Sequence, residues 1–404
     1  MSDSNFSSSD NDVTSMKTGR MQANSRVRRR YMADMRFKVY SMAAVGFSLA
    51  FLVFFFSDLI GKGMPAFQQA EVLAEVSYSQ DVADGNYRAA VDKDLRQVIS
   101  RGYLRTLPLY LQNNPEKIGT SETIWVVANY DVDQYLKEHP YRLKSKEMKV
   151  VKRLQEEGHL ALHFNTYFFT NGDSKMPEIA GIKSAAIGTI YVLFLTMLFA
   201  LPIGVMTAIY LEEFAPDNHI IRFIEVNINN LAAIPSILFG LLGLAIFINF
   251  FGVPRSSALV GGLTLGLMTL PVVIISSRAA LKAVPESIRE GAIGVGASPW
   301  QTVWHHVLPL AMPGILTGSI IGLAQAMGET APLIIVGMIA YIPDAPDSIL
   351  HAATVMPAQI YTWSGESIRA YAERTAAGIL VLLAVLLTMN AFAIALRRKF
   401  ERRW

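Results

Sequence analysis

The chain has 404 residues, a net charge of +3 and 52% hydrophobic residues, but only 17% of its residues are charged. Soluble proteins average about 25% charged residues, so this composition excludes an ordinary soluble protein and indicates a membrane protein. The basic residues crowd near the two ends and form no stripe, which argues against nucleic-acid binding. Because cysteine is absent, disulfides, zinc fingers, thiolate catalysis and cysteine-ligated iron–sulfur clusters are excluded.

Six uncharged segments are long enough to cross a bilayer. A spanning helix needs about 20 apolar residues, since ~30 Å of hydrocarbon is crossed at about 1.5 Å per residue. The segments are residues 39–57, 184–211, 226–254, 256–277, 307–328 and 375–396. We therefore predict an all-α polytopic membrane protein with six transmembrane helices.

The ends of the chain carry the signals for its orientation. Lys and Arg in short flanks are retained in the cytoplasm, and such residues precede the first span and follow the last one. We predict two cytoplasmic basic tails, residues 1–38 and 398–404, with residues 1–24 disordered because they are rich in Ser, Asp and Asn. Residues 39–60 are predicted to be a retained anchor helix, because the apolar run is too long for a signal peptide.

Residues 61–180 are predicted to form a small α+β domain on the periplasmic side. A helix-like stretch covers 87–112, strands are predicted at 122–129 and around Leu160, Leu162 and Phe164, and a helix precedes the second strand. The three histidines of this segment are scattered, so no metal site is predicted. Sensing, docking and spacing all remain open as roles for the domain.

The inner loop at residues 283–309 is predicted to form two short helices. Gly294 and Gly296 provide a bend, and Ser298 with Gln301 forms a capping box at the second helix start. An apolar stripe follows at the spacing i, i+3, i+4 and i+7: Trp300, Val303, Trp304 and Val307. Such a stripe on a cytoplasmic loop needs a partner groove, or else it lies on the membrane surface.

This loop resembles the EAA motif of ABC importer permeases. Glu290, Ala292 and Gly296, followed by Leu308 and Pro309, match that motif, although Gly291 replaces its first alanine. The resemblance implies that residues 278–308 form a coupling loop that docks on a separate ATPase. The residues implied in ATPase coupling are Glu290, Ala292, Gly296, Trp300, Trp304, Leu308 and Pro309.

The sequence GETAP at residues 328–332 resembles the signature of PstA-type permeases of phosphate ABC importers. The resemblance covers about residues 181–396 and implies a permease core, 181–397, with five transmembrane helices in the bacterial inner membrane. It implies inorganic phosphate as substrate, transported by alternating access. The implied partners are a PstC-like permease, a PstB-like ATPase dimer and a PstS-like periplasmic phosphate-binding protein. The domain at 61–180 resembles an N-terminal extension found in some members.

No Walker A motif occurs in the chain, so ATP and Mg are expected on the separate ATPase. We predict that this chain is not an enzyme and binds no cofactor or metal. Two further predictions concern charged residues at the ends of spans: Glu212 and Glu213 are predicted to be a solvated flank, and Arg278 an anchor at the membrane interface. Alternatives are a membrane receptor that senses through residues 61–180, a permease for another substrate, and a secondary transporter.

Glu329 is the main candidate in the membrane because an ionisable side chain at that depth is costly. If the fifth span begins near Ala311, Glu329 lies ~27 Å from the inner face, and Pro332 is expected to bend or break the helix nearby. Glu329 can accept the proton of hydrogen phosphate, pair with an arginine of the partner permease, or act as a structural acceptor. Gln325, which stands where some family members have arginine, and Thr330 complete the predicted pathway or gate.

Overall fold

The computed structural model describes residues 9–400, with the side chains of residues 9–26, 28, 396 and 399–400 excepted. The chain divides into two compact units, one ending at Ile60 and the other beginning at Gly61. The described part of the first unit lies within one long helix, α1 (Ser9–Gly63), which contains the first predicted span. The prediction of disorder is wrong for residues 9–24, and residues 1–8 lie outside the described part. This stretch has no proline, and extending an existing helix costs far less than nucleating one.

The α+β domain is built on a three-stranded antiparallel sheet. Its strands are β1 (Gln68–Ser77), β2 (Ser121–Val127) and β3 (Leu160–Phe164), in the order β2-β1-β3. Val72 of β1 pairs with Val126 and with Leu160. The sequence analysis did not predict β1, the central strand. Every second residue of β1 is nevertheless apolar and buried in the core: Ala70, Val72, Ala74 and Val76.

Five short helices complete this domain: α2 (Gln80–Ala83), α3 (Arg101–Asn113), α4 (Tyr130–Leu136), α5 (Ser145–Glu156) and α6 (Thr166–Thr170). Apolar residues of α3, α4 and α5 cover the buried face of the sheet. The predicted helix at 87–112 is wrong in its first half. Residues 87–90 and 95–97 form only short 3-10 turns, and α3 begins after Ser100, whose hydroxyl oxygen accepts from the backbone N–H groups of Gly102 and Tyr103.

The remaining helices belong to the membrane part. They are α7 (Lys183–Ile209), α8 (His219–Ala232), α9 (Ser236–Gly243), α10 (Ala258–Lys282), α11 (Glu286–Gly294), α12 (Pro299–Thr302), α13 (Leu308–Gly328), α14 (Ala331–Ile335), α15 (Met356–Ser364) and α16 (Ala370–Phe400). π-Helical turns at Tyr210–Phe214, Leu244–Phe250 and Val303–Val307 extend α7, α9 and α12. Within residues 9–400, five helices are long and apolar enough to cross a membrane, or six if one bent pair counts as a single span.

The bent pair replaces the straight third span predicted at 226–254. Helix α8 and the apolar run Ser236–Phe250 meet at an angle of 105°. Pro235 lies at this bend and disfavours a helical conformation for Ile234. Only the second arm is apolar throughout, whereas α8 is amphipathic and has no buried residue.

Helix α10 lies at the centre of the membrane part and packs closely against α7 and α13. Glycines allow the approach, as is common between membrane helices. A Cβ on Gly204 of α7 would lie 2.7 Å from a methyl carbon of Val273, and one on Gly318 of α13 would collide with Ser276. The core of spans α7, α10 and α13 therefore depends on small residues at these crossings.

The second of the two predicted inner-loop helices is not a separate element. From Pro299 to Gly328 the chain is one helical run, so α12 is the first turn of the fifth membrane helix. Pro309 has no N–H for the carbonyl of His305, and the wider π turn at Val303–Val307 accommodates this loss. At the other end, the predicted break near Pro332 is confirmed: α13 stops at Gly328, and Pro332 lies in the first turn of α14.

The α+β domain is fixed to the start of α16 by buried polar contacts. Gln134 Nε2 donates to Glu373 Oε1 at 2.6 Å, and Lys137 Nζ lies 3.3 Å from Glu373 Oε2 and 2.7 Å from Asp133 Oδ2. Arg374 donates to the carbonyl of Ala180 at 2.8 Å. These buried polar contacts therefore join the α+β domain and the segment after it to the start of α16.

Candidate functional site

The inner loop is shaped by a bend and a helix cap. Gly296 has φ +92°, a left-handed conformation that side chains disfavour. After it, the Ser298 N–H donates to Gln301 Oε1 at 2.9 Å, and the Gln301 N–H donates to Ser298 Oγ at 3.3 Å. The predicted capping box is confirmed. Pro285 is the N-cap of α11, which begins at Glu286.

The predicted apolar stripe divides into two parts. Val303 and Val307 are buried in a cluster with Leu281 and Ile315. Trp300 and Trp304 are 57% and 52% exposed, and their rings stack with centroids 5.6 Å apart. The valines hold the fifth helix in the core, whereas the tryptophans remain available to a partner.

The other predicted coupling residues lie around the same loop. Glu290 and Gly296 are exposed, Ala292 is buried, and Leu308 and Pro309 are half-buried in the helical run after the π turn. Two further apolar side chains were missed: Ile293 is exposed, and Val295, between two glycines, is 87% exposed. An isolated apolar residue between Gly294 and Gly296 is the signal that could have identified Val295.

Arg289 ties this loop to the end of the second span. It donates to Glu213 Oε1 at 2.8 Å and Oε2 at 3.2 Å, and to the carbonyls of Val284 and Leu281 at 2.7 and 3.0 Å. The Arg289 and Glu213 side chains are only 14% and 8% exposed. The hydrogen bond from Glu213 raises the pKa of Arg289 above its ordinary value. The prediction that Glu213 is a solvated flank is therefore wrong.

A second ion-pair group lies beside the first. Arg278 of α10 contacts Glu212 Oε2 at 3.3 Å and Glu225 Oε1 of α8 at 2.7 Å. Glu212 is thus paired and not simply solvated. Through these two pairs Arg278 joins α10 to the end of the second span and to α8. A cavity of about 600 Å³, lined by Glu213, Arg289, Ile293 and Pro299 among others, opens between the second span and the loop.

At the other end of the fifth helix, Glu329 follows the last turn of α13 and is half-buried. It lines a cavity of about 10 Å³ with apolar residues that include Leu265, Leu333 and Val355. Its carboxylate forms no hydrogen bond or ion pair with any residue in the range 9–400. Thr330 is half-buried in the same break, whereas Gln325 is exposed and does not line this cavity. A structural acceptor role within the described chain is thus not observed for Glu329.

Residues 200–404 match the family described as "Binding-protein-dependent transport system inner membrane component". The chain belongs to this family. The permease is also similar, over residues 24–93 and 85–145, to "Domain of unknown function (DUF3333)". The prediction that the chain is an ABC importer permease is confirmed, and an N-terminal extension precedes the permease core.

Two relatives by sequence agree with this assignment. The permease is 34% identical over 168 residues to "Probable ABC transporter permease protein YqgI" of Bacillus subtilis, a match covering 41% of this chain and 56% of that protein. It is 31% identical over 231 residues to "Phosphate transport system permease protein PstA 1" of Mycobacterium tuberculosis, covering 56% and 75%. The resemblance to PstA-type permeases is confirmed. A chain of the MetNI methionine ABC transporter, solved in inward-facing conformations, matches at 19% identity with a TM-score of 0.42, covering 53% of the permease and 95% of that chain.

Proposed function

We propose that this permease subunit carries inorganic phosphate across the bacterial inner membrane in an ATP-driven importer that works by alternating access. The observation that carries the phosphate assignment is the 31% identity to a PstA protein over 231 residues. The GETAP sequence, which ends the fifth helix at a break beside Glu329, supports it. Both termini are proposed to be cytoplasmic because of their basic flanks.

The inner loop is proposed as the coupling element for a separate, PstB-like ATPase that binds ATP and Mg. Exposed Trp300, Trp304, Ile293 and Val295 form apolar anchors, and Glu290 adds a charge. Aromatic anchors commonly dominate binding energy at protein interfaces. Ala292 and Gly296 shape the loop, while Leu308 and Pro309 join it to the fifth helix. Arg289 then transfers loop movement to the second span through Glu213.

Glu329 is proposed as a gate residue, with Thr330 beside it and Gln325 one turn earlier. A half-buried carboxylate without a partner in the described chain is costly in a membrane. A cation on the PstC-like permease would pair with it when the pathway is closed. When the pathway opens, the same carboxylate can accept the proton of hydrogen phosphate, which sulfate lacks.

Reconstituted transport tests this function. The chain is combined with its permease and ATPase partners and a PstS-like binding protein in vesicles, and uptake of phosphate and sulfate is compared with and without ATP. ATP-dependent uptake of phosphate alone supports the proposal. Uptake of sulfate or another solute assigns a different substrate, and ligand binding without any ATP-driven uptake supports the receptor alternative.

A further inference from the structure

A basic cleft lies at the junction between the α+β domain and the start of α16. Two neighbouring cavities of about 410 and 510 Å³ share the lining residues Tyr130, Asp131, Arg142 and Ile368. This size is typical of a small-molecule site. The cleft is separate from both the coupling loop and the break at Glu329.

The charge of the cleft is unbalanced. Five basic side chains line it: Arg101, Arg142, Lys144, Lys175 and Arg369. Within residues 9–400 none of them forms an ion pair with a carboxylate. Two carboxylates of the cleft accept hydrogen bonds from the backbone: Asp131 from the Arg142 N–H at 2.9 Å, and Glu147 from the Lys144 N–H at 2.8 Å. The five basic side chains thus outnumber the three carboxylates that line the cleft, Asp131, Glu147 and Glu178.

A buried carboxyl group also lines one of the two cavities. Glu178 lines the smaller of the two cavities and is only 5% exposed. Its Oε1 accepts from the Ser100 hydroxyl at 2.7 Å, but its Oε2 is buried and has no hydrogen-bond partner in the described chain. A buried acceptor without a donor is unfavourable. A ligand that brings its own hydrogen-bond donor would satisfy this oxygen.

We propose that this cleft binds hydrogen phosphate, with Arg142 and the neighbouring Arg369 on its oxygens and Glu178 accepting a hydrogen bond from its P–OH group. Guanidinium groups suit phosphoryl oxygens because their N–H donors form charge-assisted pairs. Sulfate, carboxylates and the dianions of phosphate monoesters have no proton to donate at neutral pH, so the free Oε2 selects against them. The site does not depend on which solute the permease transports.

Equilibrium binding to the full chain in uncharged phosphatidylcholine nanodiscs tests the proposal. Inorganic phosphate, glycerol 3-phosphate and sulfate are titrated separately by calorimetry. We expect inorganic phosphate to bind more tightly than sulfate and more tightly than glycerol 3-phosphate, whose dianion has no P–OH proton at neutral pH. Absence of phosphate binding at millimolar concentration, or equal binding of sulfate, overturns the proposal.

Two variants and a control locate the site. Arg142→Gln with Arg369→Gln should weaken phosphoryl binding at least tenfold, because both lost charges are on the exposed rim, where folding does not depend on them. Lys152→Gln removes the same kind of charge from an exposed position of α5 outside the cleft and should leave affinity unchanged. Equal affinity in the double variant and the control places any bound phosphate elsewhere, such as the transport pathway, and overturns the assignment.

Glu178→Gln tests the selectivity. The glutamine amide can donate to sulfate as well as to phosphate, so the preference for phosphate should fall about tenfold. An unchanged preference in a variant that elutes and melts like the parent chain removes Glu178 from the site. If the variant does not fold, the double arginine variant still decides the proposal.

Discussion

Arg289 of the inner loop donates to both carboxylate oxygens of Glu213, 76 positions earlier at the end of the second span. Two further bonds from the same guanidinium reach the carbonyls of Val284 and Leu281. One side chain thus connects the loop, the end of the fourth span and the end of the second. A force on the loop would reach the second span through the ion pair and the fourth span through the hydrogen bond to Leu281, both made by one guanidinium.

Reversal of this ion pair is the sharpest test of the link. Arg289→Glu or Glu213→Arg alone replaces the ion pair by two like charges in a mostly buried place. Breaking a buried ion pair costs about 3–5 kcal/mol. We expect each single variant to lose most ATP-driven uptake, and the double variant to regain a clear part of it. Uptake in reconstituted vesicles is the measurement.

The control for this reversal is Glu286→Gln. Glu286 lies 3.4 Å from the same guanidinium, but its side chain is 73% exposed, so its removal should change uptake little. A double variant no more active than either single variant would show that the pair is not the link.

The tryptophan pair should contribute to ATPase binding and not to folding. Trp300→Ala and Trp304→Ala should each weaken ATPase retention by about 2 kcal/mol or more if these rings are anchors in a groove. Because both rings are exposed, the melting temperature of the detergent-solubilised chain should stay the same. Phe250→Ala, at an exposed ring in another part of the chain, is the matched control, and equal retention by all three variants would contradict the docking role.

Glu329 should matter for transport and not for insertion. Glu329→Gln keeps the size of the side chain and removes the charge, so membrane levels should persist while phosphate uptake falls at least tenfold. Initial uptake rates at equal expression provide the measurement, with Glu366→Gln, an exposed carboxylate in the loop before α16, as the control. Normal uptake by Glu329→Gln would remove the gate proposal.

The α10–α13 crossing should depend on the absence of a side chain at Gly318. A Cβ there would collide with Ser276, so Gly318→Ala should destabilise the chain by about 1–3 kcal/mol through overpacking. Gly328→Ala has open space around its Cβ and should be tolerated in the same thermal unfolding assay. Equal melting temperatures would show that the two helices can separate without cost.

The ion-paired sites could not be predicted from sequence, although several local features could. The Ser298 cap and the break at GETAP depend on residues within a few positions, and both appear where the sequence placed them. The position of Glu213 depends on how α7 packs beside α11, so the adjacent carboxylates resembled an ordinary solvated flank. Strand β1 was missed for a similar reason, because its identity depends on pairing with β2 and β3.

By itself, the sequence determined the membrane class, the approximate spans, the helix cap and the motifs of an importer permease. These properties depend on apolar length and on short-range backbone chemistry, which are readable from neighbouring residues. Only the tertiary structure decided that Arg289 meets Glu213, that Trp300 and Trp304 are exposed while Val303 and Val307 are buried, and that Glu178 keeps a free oxygen beside a basic cleft. Those relationships arise from contacts between distant segments, and packing alone fixes which side chains meet.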